Sequence, residues 1–175
     1  MKKILLILVS LFLVGCNTNM NSPSRKVEEF LAKYQTLDDD VLTQLQVIVD
    51  NDSEMNSDEK KEYIALMQKQ YQNLSYKITD EDINDDKAVV EVEAEVYDYS
   101  TSINKSKEYF SSHKDELVED DDEIHSYIDY KIKEMKNVED RITYVITFYL
   151  KKDKKNKWVV EDLSESDIKK LHGLY

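Results

Sequence analysis

Between Ser24 and His172 the chain contains neither glycine nor proline. Glycine supplies left-handed turns and proline stops helices, so every reversal in this stretch must be built from other residues, chiefly asparagine, aspartate and lysine. No glycine- or proline-built linker divides it, and a glycine-rich phosphate loop is excluded. The expectation is one folded unit with turns made of polar side chains.

Charge narrows the partners. The 175 residues carry 37 acids against 24 bases, a formal net charge of -13, with a single cysteine. A surface of that sign repels nucleic acid and anionic lipid, so neither is expected to bind through charge. One cysteine has no intramolecular disulfide partner. The three histidines, His113, His125 and His172, lack the close pairing of a zinc signature and read as surface or helix-face residues.

The amino terminus has its own pattern. Lys2 and Lys3 precede an apolar run from Ile4 to Leu13, broken only by Ser10 and too short for an ordinary membrane span of about 20 residues. This is the layout of an export signal. The four residues that follow, Leu13-Val14-Gly15-Cys16, resemble the lipobox of bacterial lipoproteins. The resemblance implies cleavage between Gly15 and Cys16, a diacylglycerol on the Cys16 sulfur, and attachment to the outer, extracytoplasmic face of the cell membrane. Loss of Lys2 and Lys3 then takes the net charge from -13 to -15. The chain divides accordingly into a signal peptide over 1–15, a lipidated tether over 16–24 and an α+β domain over 25–175. Asn17 to Ser24 reaches at most about 28 Å, so the domain is expected near the headgroups.

Helical spacing comes first in the domain. Val27, Phe30, Leu31 and Tyr34 recur at i, i+3, i+4 and i+7, with Ser22 as N-cap and Pro23 at the first helical position. Val41 to Val49 either extends this helix or forms another. Asn56 or Ser57 caps a third stretch to about Asn73, with Glu59 placed for a capping box. Period-two alternation follows at Leu74, Tyr76 and Ile78, then at Ala88, Val90, Val92, Ala94 and Val96, with Asp82 to Asp86 as the turn. Helical spacing returns around Lys105 to Phe110 and from Asp121 to Lys136, where Ile124, Ile128, Lys131, Ile132 and Met135 share a side. The acidic run Glu119 to Glu123 feeds that helix start as a solvated loop, or recruits cations or a basic partner. Ile142 to Leu150 alternates again, Asp153 to Asn156 turns the chain into Lys157 to Leu163, and Ser164 with Asp167 opens a last helix that stops at Gly173.

Helices followed by an antiparallel sheet, the Ser22-to-Leu31 helix start, the Asp86-to-Val92 strand, the Lys157-Trp158-Val159-Val160 strand and the Leu163-to-Tyr175 ending resemble small Gram-positive lipoproteins of the nuclear-transport-factor-2-like (cystatin-like) group. The resemblance implies a curved antiparallel sheet, a cone-like half-barrel, wrapped on the amino-terminal helices and able to enclose a pocket. Such folds host enzymes, carriers and scaffolds alike.

Three sets of residues are candidates for chemistry. Asp80, Asp82, Asn84, Asp86 and Glu91 follow the ligand spacing of a calcium loop, but Asp85 stands where that loop needs glycine; the alternative is a solvated hairpin turn. Tyr76 and Tyr144 fall in the inward strand registers and would line a cone pocket or simply pack. Asp98 continues the apolar register of Val92, Ala94 and Val96; its carboxylate either enters the core, where desolvation raises its pKa for acid–base work, or is released as the strand ends. The expected function is a non-catalytic binding or interaction module of the cell envelope, with no cofactor beyond the Cys16 lipid, the bilayer as partner and an envelope protein or small ligand to bind. The alternatives are an enzyme using Asp98 and a tyrosine, and a cation-binding module using the Asp80 to Glu91 loop.

Overall fold

The computed structural model describes residues 21–175, so Gly15, Cys16 and the signal lie outside the described residues. Helix α1 spans Pro23–Gln35, its start set by the Ser22 hydroxyl accepting from the Arg25 amide and by Pro23 in the first turn. It opens two residues inside the stretch read as tether. Val27, Leu31 and Tyr34 are its buried stripe. The helix ends without glycine: Leu37 takes the left-handed conformation at φ 55° while its amide and that of Asp38 bond back to Tyr34 and Lys33. Asp38 then caps a separate helix α2, Asp39–Asp50. In α3, Ser57–Gln72, the Asn56 side chain accepts from the Asp58 and Glu59 amides and Glu59 returns a bond to the Asn56 amide, the reciprocal box expected there.

Four strands form one antiparallel sheet in chain order: β1 Ser75–Asn84, β2 Lys87–Tyr97, β3 Arg141–Lys152 and β4 Trp158–Val160. The first turn is tighter than the sequence predicts. Asp82 and Asn84 pair with Val89 and Lys87, leaving only Asp85 and Asp86 as the loop, with Asp85 left-handed at φ 54°. The register slips between Ile78 and Asp80, so Thr79 has no partner in the ladder. β4, Trp158–Val160, keeps only part of the first half of the expected Lys157 to Leu163 strand.

The alternation fixes which face is covered. Ala88, Val90, Val92, Ala94 and Val96 stand opposite Leu150, Phe148, Ile146, Tyr144 and Ile142. Against this face pack α1, α3 and α7, Glu165–Leu171, with Phe30 edge-on to Phe148 at 5.6 Å between ring centres. Val27, Leu31, Met67, Val90, Val92 and Phe148 are all 0% exposed. Each buried large side chain contributes about 1.5–3 kcal/mol, so this layer is the main source of stability.

Helices α4 Tyr99–Ser112, α5 Lys114–Leu117 and α6 Glu123–Lys136 are inserted between β2 and β3. α4 extends the expected Lys105 to Phe110 segment at both ends and packs on α6 through Ser106 and Phe110. Ile128, Ile132 and Met135 are buried, but Ile124 is exposed because the first turn of α6 lies beyond its packed stripe. At the carboxyl end Ser164 caps α7, and Gly173 at φ 68° closes it, its amide and that of Leu174 bonding to Lys170 and Lys169. Among the described residues no helix is long and apolar enough to cross a membrane.

Candidate functional site

Tyr76 and Tyr144 both flank Ala94, one on each neighbouring strand, on the covered face of the sheet. The inward register is therefore correct. Tyr144 is nevertheless committed: its hydroxyl donates to the Tyr175 carbonyl at 2.9 Å, and its ring meets that of Tyr175 edge-on. Burial, with Glu28 nearby, raises the Tyr76 hydroxyl above the ordinary tyrosine value despite Arg25.

Asp98 does not enter the core. The strand ends at Tyr97 and Asp98 becomes the N-cap of α4, accepting from the Thr101 amide at 3.0 Å and the Ser100 hydroxyl at 3.1 Å. Partial burial pushes its pKa up, but the Thr101 and Ser100 hydrogen bonds and the Lys105 charge outweigh that and hold it below the ordinary carboxylate range. The sequence argument for a raised pKa is thus reversed: Asp98 is a charged acceptor at neutral pH. It is not brought together with Tyr76 and Tyr144, which line the sheet interior.

The calcium-spaced residues are not a loop. Asp80, Asp82 and Asn84 lie on β1, Asp86 in the two-residue turn and Glu91 on β2, directly opposite Asp80. Paired strands hold these residues extended where a calcium loop must wrap its ligands around one point. Among the described residues no group of three or more His, Cys, Asp or Glu side chains gathers to hold a metal ion.

Two histidines do more than the sequence indicates. His172 is buried, its Nε2 2.8 Å from the Tyr71 hydroxyl, and burial pushes its pKa down to about 4. His125 meets the buried carboxylate of Glu59 through Nδ1 at 2.8 Å, a bond that, against partial desolvation, raises the imidazole above its ordinary value, with Asp122 and Asp129 adding to it. Neither partner is near in sequence, so no spacing announces the pair.

An open cleft of about 750 Å³ runs along α4 and the carboxyl half of α6, with the segment from Asn137 to Asp140 also in its lining. Its lining includes Asp98, Glu108, Glu134, Glu139 and Asp140 against a single base, Lys105. Tyr109 and Tyr130 stack at 5.9 Å and form its aromatic part. Burial, with Glu134 and Tyr109 adjacent, raises the Tyr130 hydroxyl, which stays a donor at neutral pH. The volume lies within the range of small-ligand sites, and carboxylates beside aromatic faces favour cations. A smaller cleft of about 280 Å³ on the other side of α6 gathers Phe110, Ile124 and Tyr127.

No protein-family model matches the chain, and no curated protein matches it. Among solved structures it resembles that of YcdA, a candidate lipoprotein of Bacillus subtilis, at 18% identity and a TM-score of 0.39. The match covers 69% of this chain and 38% of that one, so the chain spans well under half the length of the protein it resembles. Of the residues singled out from sequence, only Asp98 lines the large cleft. Tyr109, Tyr130, Glu134 and Lys105 were legible only as helix positions.

Proposed function

We propose that the chain is a lipoprotein held on the extracytoplasmic face of the cell membrane through Cys16, and that its folded part is a non-catalytic binding module. The observation that carries the anchoring is the lipobox-like Leu13-Val14-Gly15-Cys16 standing so close in sequence to the first described helix, which opens at Pro23. A domain tied at that distance stays at the membrane surface. For binding, the support is the arrangement of the two candidate regions. The helix-covered face of the open four-stranded sheet is occupied by its own side chains, with Val92, Ala94 and Phe148 0% exposed, while the acidic, tyrosine-walled cleft between α4 and α6 is open. The ligand this cleft fits is a cationic small molecule or the basic side chains of an envelope protein.

The anchor is tested with Cys16→Ser in the producing bacterium. The expected outcome is loss of cleavage or release from the membrane fraction; normal processing with full membrane retention would refute the lipid attachment. The cleft is tested by native mass spectrometry of the delipidated protein and of Glu134→Lys, titrated with spermidine as a cationic probe. Binding that the lysine variant weakens at least tenfold supports the assignment, and equal binding by both proteins removes it.

A further inference from the structure

The net charge of the chain conceals a local reversal. Residues 151–157, Lys-Lys-Asp-Lys-Lys-Asn-Lys, hold five lysines and one acid, the densest basic segment of the sequence. They form the tip of the β3–β4 hairpin. The tip of the β1–β2 hairpin lies beside it: the Lys152 amide donates to the Asp86 carbonyl at 2.8 Å, the Lys152 ammonium to the Asp85 carbonyl at 3.0 Å, and Lys87 pairs with Lys151 in the ladder. Lys87, Lys151, Lys154, Lys155 and Lys157 are exposed.

Of the acids at this end, Asp153 accepts the Lys155 and Lys157 amides at 2.8 and 2.9 Å and Glu161 pairs with Lys151 at 2.8 Å, while Asp85 and Asp86 at the neighbouring tip are exposed, so Lys87, Lys151, Lys152, Lys154, Lys155 and Lys157 outnumber these four acids by two. Lys154, Lys155 and Lys157 form no ion pair with any described residue. Their charge therefore faces outward.

The described residue nearest Cys16 in sequence is fastened to this tip. The Asn21 side chain donates to the Asn156 carbonyl at 3.0 Å and accepts from the Trp158 amide at 3.2 Å, which fastens the first described residue to the basic hairpin. Five residue steps from Cys16 to Asn21 span at most about 18 Å, and less unless fully extended. An acylated Cys16 thus holds this hairpin, and no other end of the fold, against the headgroup layer. Tyr97 and Arg141 mark the opposite end of the sheet, ten ladder positions from the Lys87–Lys151 pair, or about 33 Å away. Asp98 and Asp140, in the lining of the acidic cleft, adjoin that far end.

We propose that the β3–β4 hairpin tip, with Lys87, is the membrane-facing surface of the protein and docks on anionic phospholipid headgroups, which turns the acidic cleft away from the bilayer. The inference rests on the Cys16 attachment proposed above. Lipid and lysines then act as two signals: the acyl chains supply retention, and the lysines supply orientation. The excess of carboxylates elsewhere is repelled by the same headgroups and reinforces that orientation.

The test uses the mature protein purified with its lipid and reconstituted into phosphatidylcholine vesicles with or without phosphatidylglycerol. With Cys16 acylated, a cysteine introduced as Lys155→Cys, or as Thr143→Cys at the far end of β3, is the only free thiol for an environment-sensitive fluorophore. Flotation of protein with vesicles reads the anchor; fluorescence reads the docking. The expected result is flotation in both lipids, with a blue shift at position 155 that requires phosphatidylglycerol, disappears in concentrated salt and is absent at position 143. Each lysine at an anionic surface is worth about fivefold, so Lys154→Glu with Lys157→Glu lowers the ratio of docked to undocked protein at least tenfold while flotation persists. Flotation with an unchanged signal at 155 in both lipids overturns the docking and leaves the anchor standing. Equal shifts at 155 and 143 overturn the orientation. Failure to float removes the anchor and the inference with it.

Discussion

Gly173 shows how one residue position decides a junction. A Cβ there would lie 2.1 Å from the Tyr97 carbonyl oxygen and 2.7 Å from the Gln70 side-chain nitrogen, and the backbone is left-handed at φ 68°. Left-handed backbone costs a non-glycine residue about 1 kcal/mol and the clash with fixed backbone about 1–3 more, so Gly173→Ala is expected to destabilise the fold by about 3 kcal/mol in urea titration. A loss under 1 kcal/mol would mean the carboxyl terminus is not docked on Tyr97. Next to it, the His172 ring must stay neutral to remain buried beside Tyr71, whose hydroxyl burial also pushes up. Because the folded-state pKa of His172, about 4, lies below the ordinary 6.5, the unfolded chain takes up the proton first. Stability is therefore complete above about pH 6.5 and falls as the pH drops toward 4, by about 3 kcal/mol in all. His172→Gln should flatten this slope, which stability curves at stepped pH would measure. The stop at Gly173 was legible in the sequence, since a lone glycine after a helical run has few other uses. The burial of His172 was not, because its partner stands 101 residues away.

Across elements, Glu59 serves two helices at once. It completes the capping box of α3 and receives His125 of α6, with its side chain only 1% exposed. The box was visible as Asn56 and Glu59 three apart; the second task was not, because nothing local marks which face of α6 meets α3. His125 has the opposite pH sense to His172. Its pKa is raised mainly by the Glu59 hydrogen bond, so the contribution is present below the unfolded value near 6.5 and is lost as the pH rises through the folded value. In Glu59→Gln the imidazole should titrate at or below the ordinary histidine value, read from its ring-proton shifts by NMR; an unchanged titration would show that Asp122 and Asp129 hold the charge instead. The strands were the most readable elements, since Ala88 to Val96 and Ile142 to Leu150 alternate without interruption and their pairing follows from that face. What periodicity could not supply was where β2 stops. Asp98 fits the alternating pattern and the helix-cap preference equally well, and only the chain reversal into α4 decides between them.

For the molecule as a whole, the inserted α4 to α6 segment and the sheet layer differ in what holds them. The sheet is held by two long ladders, one of them interrupted at Thr79, and by the α1, α3 and α7 side chains that leave Val90 to Val96 on its covered face 0% exposed. The insertion is held by packing of α4 on α6 and by the contact of α6 with α3, where Glu59 meets His125. α5 has no buried residue at all. Amides open locally with free energies that follow such differences in burial, up to the global value for the best-packed strand. Native-state hydrogen exchange should accordingly release α5 first, then α4 and α6 together, and the amides of Val90, Val92 and Val96 last. Because the Glu59 contact ties α6 to the sheet layer through α3, Glu59→Gln should accelerate exchange in α6 and α4 while leaving β2 and β3 nearly unchanged. Uniform acceleration in every element would mean the insertion and the sheet unfold as one cooperative unit. The separation has a functional consequence, since the acidic cleft belongs to the less stable part: a ligand that bridges α4 and α6 should slow exchange there selectively, and would do so without altering the protection of the β3–β4 hairpin.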